Sequence, residues 1–322
     1  MQASPMRRRR LRAWGLLAGA LLLALAALAS LALGSRPVPL AVTLDALQAV
    51  DPHDDRHLVV RELRLPRTLV ALLAGAALGV AGALMQALTR NPLAEPGLLG
   101  INAGAALAVI VGVALFDLAS MGQYLGCAFL GAGLAGIAVF LLGQARETGT
   151  NPVRLVLAGA GLSVMLASLT GIIVLNAPPE VFDRFRHWAA GSLSGSGFAL
   201  AARLNALALG QEIGRALGVD LRLTWLLACL AVMLLAGAAT ALAGPIAFVG
   251  LVAPHLARLL AGPDQRWILP FSALIAAGLL LGADILGRLL AAPAEIAAGI
   301  VALLLGGPAF IVLVRRFRLS RL

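Results

Sequence analysis

The 322-residue chain contains no lysine; all 25 of its basic residues are arginine. That absence excludes a Walker A lysine, a Schiff-base lysine and a lysine general base on this chain. Charge of either sign is scarce, at 12% of positions, against about 25% in soluble domains. Apolar residues fill 61% of the chain and the mean hydropathy is +0.95, so an all-α polytopic integral membrane protein is expected. Cysteine is nearly missing: Cys127 and Cys229 fall in apolar runs without disulfide or metal spacing and read as small buried hydrophobes. No His-Glu-x-x-His motif and no convincing Ser/His or Asp pair lies within the apolar runs, which argues against a membrane-embedded enzyme. The formal charge of +10 does not indicate nucleic acid. The arginines are scattered at the ends of apolar runs, as the positive-inside bias would place them.

What is present is a succession of apolar runs. Residues 1–12 carry five arginines and precede a run over 14–34, about the length of a full span and longer than a signal-peptide core. A retained span with a cytoplasmic N-terminus is expected. Residues 35–64 are polar, with Asp51, Asp54 and Asp55, and Leu44, Leu47 and Gln48 suggest a short surface helix. Further spans are expected at 65–88, 98–115, 124–143, 155–175, 223–243, 269–290 and 296–314, with a short apolar helix at 251–260. Polar turns at 90–97 and 244–250 carry Asn-Pro, Pro-Gly and Gly-Pro breakers, and their matching character hints at an internal duplication. Gly75, Gly79 and Gly82 place small residues three or four apart, which favours close helix packing in a compact bundle.

Residues 189–209 are long enough to cross but contain Gly191, Ser192, Ser194, Arg203 and Asn205. A central arginine costs about 2.5–3.5 kcal/mol on insertion, so by hydropathy this is a poor span. Charge argues for a crossing. Without one, Arg215, Arg222, Arg258, Arg266, Arg315, Arg316, Arg318 and Arg321 would all lie outside; with one, they face the cytoplasm. About ten spans are therefore expected, the sixth short or missing as a regular helix, with residues 315–322 forming a basic cytoplasmic C-terminus. The whole of 1–322 reads as one membrane domain.

A polar interruption at 207–222 separates the two apolar halves. Gly210, Gly214 and Gly218 recur every fourth residue beside Leu209, Ile213 and Leu217, which suggests two short helices joined at a glycine. Alone, such a segment reads as an interfacial loop helix.

The stretches Arg64-Leu65-Pro66-Arg67-Thr68-Leu69, Asn91-Pro92-Leu93-Ala94-Glu95-Pro96-Gly97, Leu209-Gly210-Gln211-Glu212 through Gly218, and Gly244-Pro245-Ile246-Ala247-Phe248-Val249-Gly250 to His255 together resemble one family. It is the permease subunits of bacterial ATP-driven (ABC) importers for ferric siderophores, haem and vitamin B12, and the resemblance runs from about Arg64 to Val314. It implies a ten-helix subunit in the inner membrane that pairs with a second permease, binds two ABC ATPases carrying the ATP and magnesium, and receives substrate from an extracytoplasmic binding protein. No cofactor or metal site is implied on this chain. In the central loop, Gly210, Glu212, Gly214, Arg215 and Gly218 would form the ATPase-coupling element. Arg64, Arg67 and Arg288 would meet glutamates of the binding protein, and Thr150 and Asn151 would stand at a cytoplasmic gate.

Two features depart from the family pattern. Against that pattern, about one helix's worth of residues is absent between Leu193 and Leu204, which leaves a transport-defective variant as an alternative. Ala297 also stands where the family usually has proline. An ion-driven secondary transporter is the other alternative, but it calls for paired intramembrane acids, and Asp284 is essentially the one acid available. A structural hydrogen-bonding role is expected for Asp284. A packing or capping role is expected for His255, since a lone histidine is a poor metal site.

Overall fold

The computed structural model describes residues 5–144, 152–191, 193 and 221–316. Among these residues the fold is built from helices: α1 (Pro5–Ala32), α2 (Leu40–Gln48), α3 (Asp55–Leu58), α4 (Leu65–Thr89), α5 (Ile101–Phe116), α6 (Met121–Gln144), α7 (Pro152–Asn176) and α8 (Pro179–Ala189). Then come α9 (Leu221–Ala243), α10 (Val249–Ala261), α11 (Gln265–Leu290) and α12 (Ala298–Arg316). Among the described residues, six helices are long and apolar enough to cross a membrane: α1, α4, α6, α7, α9 and α11. Three shorter apolar helices, α5, α10 and α12, accompany them. In hydrocarbon the backbone must satisfy its own polar groups, so apolar runs of this length fold as helices.

The helix directions follow from named contacts. At its beginning α1 meets the start of α11, where Arg12 pairs with Asp264 and lies over the Trp267 ring; at its end it meets the end of α11, where Arg288 bonds to Ser30. These two helices therefore run parallel. α4 runs antiparallel to α11, with Arg67 against Asp284 near one end and Gly79 against Ser272 nearer the other. The α4–α11 crossing is the centre of the core. A Cβ at Gly75 would lie 2.7 Å from the Ala276 carbonyl oxygen, and one at Gly79 would overlap that of Ser272, so only glycine permits this approach.

α9 lies antiparallel to α6, Met233 beside Gly136 and Gly237 beside Ala132. Its last turn reaches Trp188, and the following Gly244 sits against Gly191. Gly191 itself bonds to Gly299 at the start of α12. Thus α8 finishes near the Arg288 end of the bundle, while α9, about 34 Å long at 1.5 Å per residue, starts toward the Arg12 end. The expected surface helix near residues 44–48 is α2. Ahead of α4, α3 continues as a π-helical stretch, Val59–Arg64, where the composition suggested only a polar loop. Asp54 caps α3 by accepting from the Arg56 N–H at 2.8 Å, and the side-chain bonds from Arg56 hold its carboxyl at about 2.

Candidate functional site

At the Arg288 end, the three sequence-predicted arginines come together. Arg67 donates from Nε to Asp284 Oδ1 at 2.8 Å and from Nη1 to Glu295 Oε2 at 2.5 Å. Arg288 Nε lies 3.1 Å from Asp284 Oδ2, near enough to attract although not aligned as a hydrogen bond. Asp284 is fully buried, and Arg288 is 2% exposed. One carboxylate is thus shared between two guanidiniums from different helices. Asp284 thereby makes a buried hydrogen bond of the kind expected of it, within a charge pairing that the sequence did not show.

The same arginines close the end of α1. A helix leaves its last four carbonyls without intrahelical donors. Arg288 Nη1 donates to Ser30 O and Leu33 O at 3.0 Å each, and Arg64 Nη1 donates to Leu31 O and Ala32 O at 2.8 Å each. Arg64 Nη2 also donates to Arg36 O, and Ser30 Oγ accepts from Arg288 Nη2 at 2.7 Å while sharing a 2.8 Å bond with Thr68. Three positive charges therefore face two negative ones, Asp284 and Glu295. Glu295 is the more open of the two, its side chain 35% exposed against 0% for Asp284.

Deeper in the bundle the two expected breaks meet each other. Gly250 packs against Pro96, and a Cβ at Gly82 would overlap the Gly250 carbonyl oxygen. Phe248 adopts a left-handed φ of 66°, and its N–H, at the start of α10, donates to Glu95 Oε1 at 2.8 Å. A carboxylate there satisfies an orphan donor and complements the positive end of the α10 dipole. Thr240 donates to Asn102 Oδ1 at 2.8 Å, and Gln86 bridges α4 and α10, donating to Leu251 O at 3.2 Å and accepting from Arg258. None of these polar ties was anticipated. Glu95 and Asn102 stand in the quoted motif or just after it, which is the signal that was present. His255 lies partly buried within α10, and Cys229 is buried in α9. Gly210, Glu212, Gly214, Arg215, Gly218, Thr150 and Asn151 lie outside the described residues. Among the described residues no group of three His, Cys, Asp or Glu side chains could hold a metal.

Apolar helices long enough to span, joined by polar breaks that pair inside the bundle, define a polytopic α-helical membrane protein. The FecCD transport family model matches residues 22–199 and 196–316, and the chain belongs to that family. It is 45% identical over 315 aligned positions to the ferric enterobactin transport system permease protein FepD of Escherichia coli (strain K12), covering 92% of this chain and 93% of that one. It is 38% identical over 314 positions to the hemin transport system permease protein HmuU of Yersinia pestis, covering 90% and 93%. A solved structure described as an inward-facing conformation of a metal-chelate type ABC transporter superposes with a TM-score of 0.76 at 29% identity, over 94% of this chain and 99% of that one. As 92% of 322 residues is about 296, about 19 of the 315 positions aligned to FepD have no residue here. That is close to the length of one membrane helix. The two stretches of the family match also meet at 196–199, inside the segment that reads as shortened.

Proposed function

We propose that this chain is the permease subunit of an ATP-driven importer for an iron chelate in the bacterial inner membrane, with both termini cytoplasmic. The single observation that carries the reading is the family match across nearly the whole chain, with relatives named for siderophore and haem transport. ATP and magnesium belong on two separate ABC ATPase subunits. The segment 207–222 would be the coupling element, where Gly210, Gly214 and Gly218 would allow close backbone approach and Glu212 and Arg215 would supply polar contacts to the ATPase. Thr150 and Asn151 would line the cytoplasmic gate. A crossing within 189–209 is supported by the geometry on either side, since α8 ends and α9 begins toward opposite ends of the bundle.

A second permease, identical or homologous, would cover the exposed face of α7, which presents Leu157, Val164, Met165, Ile172 and Leu175. The binding protein would dock at the arginine cluster. The cluster carries an excess positive charge, and its more exposed carboxylate, Glu295, is the one that a partner's glutamate could displace from Arg67.

The test is uptake of a labelled ferric siderophore by cells carrying this chain with its ATPase and binding protein. Uptake should vanish when the Walker A lysine of the partner ATPase is replaced. Uptake that persists there but stops with a protonophore would establish the secondary-transporter reading. The roughly 19 missing positions favour a second reading, a subunit that assembles but does not transport. Assembly with the ATPase, with neither uptake nor substrate-stimulated ATP hydrolysis, would establish it.

A further inference from the structure

We propose that the groove between α1 and α11 is a binding site for an anionic phospholipid, with the headgroup phosphate at Arg12 and one acyl chain lying along the two helices. The groove encloses about 600 Å³ and is lined on α1 by Arg12, Gly15, Gly19 and Ala26 and on α11 by Leu274 and Gly278, among others. Arg12 is its one charged lining residue among those described.

Its shape comes from glycines used in the opposite way from those at the centre of the core. At Gly75 and Gly79 a Cβ would strike the backbone of α11. At Gly19 a Cβ would come no nearer than 3.5 Å to a Leu274 methyl, and at Gly278 no nearer than 3.8 Å to one of Leu23, both ordinary contacts. Gly19 and Gly278 therefore do not serve a close helix crossing; they leave a trough, narrowed at Gly15, where a Cβ would lie 3.2 Å from the tip of the Phe271 ring. The residues along α1 from Leu11 to Ala26 span about 22 Å, longer than the roughly 15 Å of one leaflet's hydrocarbon. A single acyl chain fits that length and that apolar lining.

The chemistry at the basic end selects the headgroup. Arg12 packs over Gly262 and lies 5.9 Å from the centroid of the Trp267 ring, which fixes its position at the mouth of the trough. Its ion pair with Asp264, at 3.8 Å, is beyond hydrogen-bonding reach, and both side chains are partly exposed. Asp264 also accepts from Arg266 N as the cap of α11. Arg9, one turn before Arg12, is exposed on the neighbouring face, and Arg266 is exposed at the start of α11, so arginines outnumber the single carboxylate. A phosphodiester completes this arrangement, and a zwitterionic headgroup would bring its own cation to the same place. The lipid would also fill the gap beside α1, little of whose surface is buried and which packs chiefly on α11. The proposal depends on the chain spanning a membrane, not on what it transports.

The test is native mass spectrometry of the purified full-length chain, with whatever subunits accompany it, in detergent with equal amounts of phosphatidylglycerol and phosphatidylcholine of matched acyl chains. Phosphatidylglycerol should be retained preferentially, by about fivefold for each arginine that contacts it. Arg12→Gln should abolish the preference and Arg12→Lys should keep it. Gly19→Leu, which fills the trough without altering charge, should lower retention of both lipids. Glycerophosphoglycerol without acyl chains should not displace the bound lipid. Equal retention of the two lipids by the unaltered chain, a preference that survives Arg12→Gln, or unchanged retention in Gly19→Leu would each overturn the proposal.

Discussion

Asp284 shows what a single residue can hold together in a membrane bundle. With its side chain fully buried, it faces Arg67 from α4 and Arg288 from its own helix. Asp284→Ala leaves two guanidiniums buried against each other with only Glu295 nearby, and removing one partner of a buried pair costs about 3–5 kcal/mol. The variant should unfold at markedly lower temperature in detergent, while Asp284→Glu should lose less; an unchanged midpoint in Asp284→Ala would show that the cluster is not structural. Gly82→Val should also lower the midpoint, because a Cβ there would overlap the backbone of α10 and overpacking costs about 1–3 kcal/mol. Thermal unfolding followed by circular dichroism checks both. The three arginines were legible at helix ends because charge at the end of an apolar run is a local signal. Their burial was not, since the partners lie 217 and 228 residues away from Arg67.

Among the elements, the junction of the two breaks matters most. Apolar periodicity and Gly/Pro punctuation placed the spans closely, as with 65–88 against Leu65–Thr89 and 269–290 against Gln265–Leu290. The helical stretch over 55–64 was missed because its polar composition resembles a loop, although Asp54 is a good cap. That the breaks would touch was visible only as a similarity between them. Glu95→Ala should leave the Phe248 N–H unsatisfied and destabilise the protein by about 1–3 kcal/mol. Glu95→Gln keeps an acceptor and should lose less. Protection of the backbone amides at the start of α10 from hydrogen exchange is the direct measurement; equal protection in both variants and the unaltered chain would show that Glu95 does not hold the break.

For the whole molecule, sidedness decides whether the coupling reading can stand. A reporter active only in the periplasm, fused after residue 322, should remain silent, and activity there would place both the C-terminus and the central segment on the wrong side. The family was legible because its motifs are long and ordered along the chain. Whether residues 189–209 cross the membrane was the least legible question, because hydropathy and charge point in opposite directions there.

The pairing of α4 with α11 also has a consequence for biosynthesis. Arg67 emerges from the ribosome long before its buried counter-charge, so the early part of the bundle must wait in the bilayer with that arginine drawn to the surface by its flexible stem. Locking of the core is then a late event, timed by the arrival of α11. A chain halted after residue 260 should be cleared by membrane proteases several times faster than the full-length protein in a pulse-chase experiment, and equal half-lives would mean that the early helices are stable without it. Quality control of this protein would thus read the completion of its ninth decile of sequence, not the insertion of its first helices.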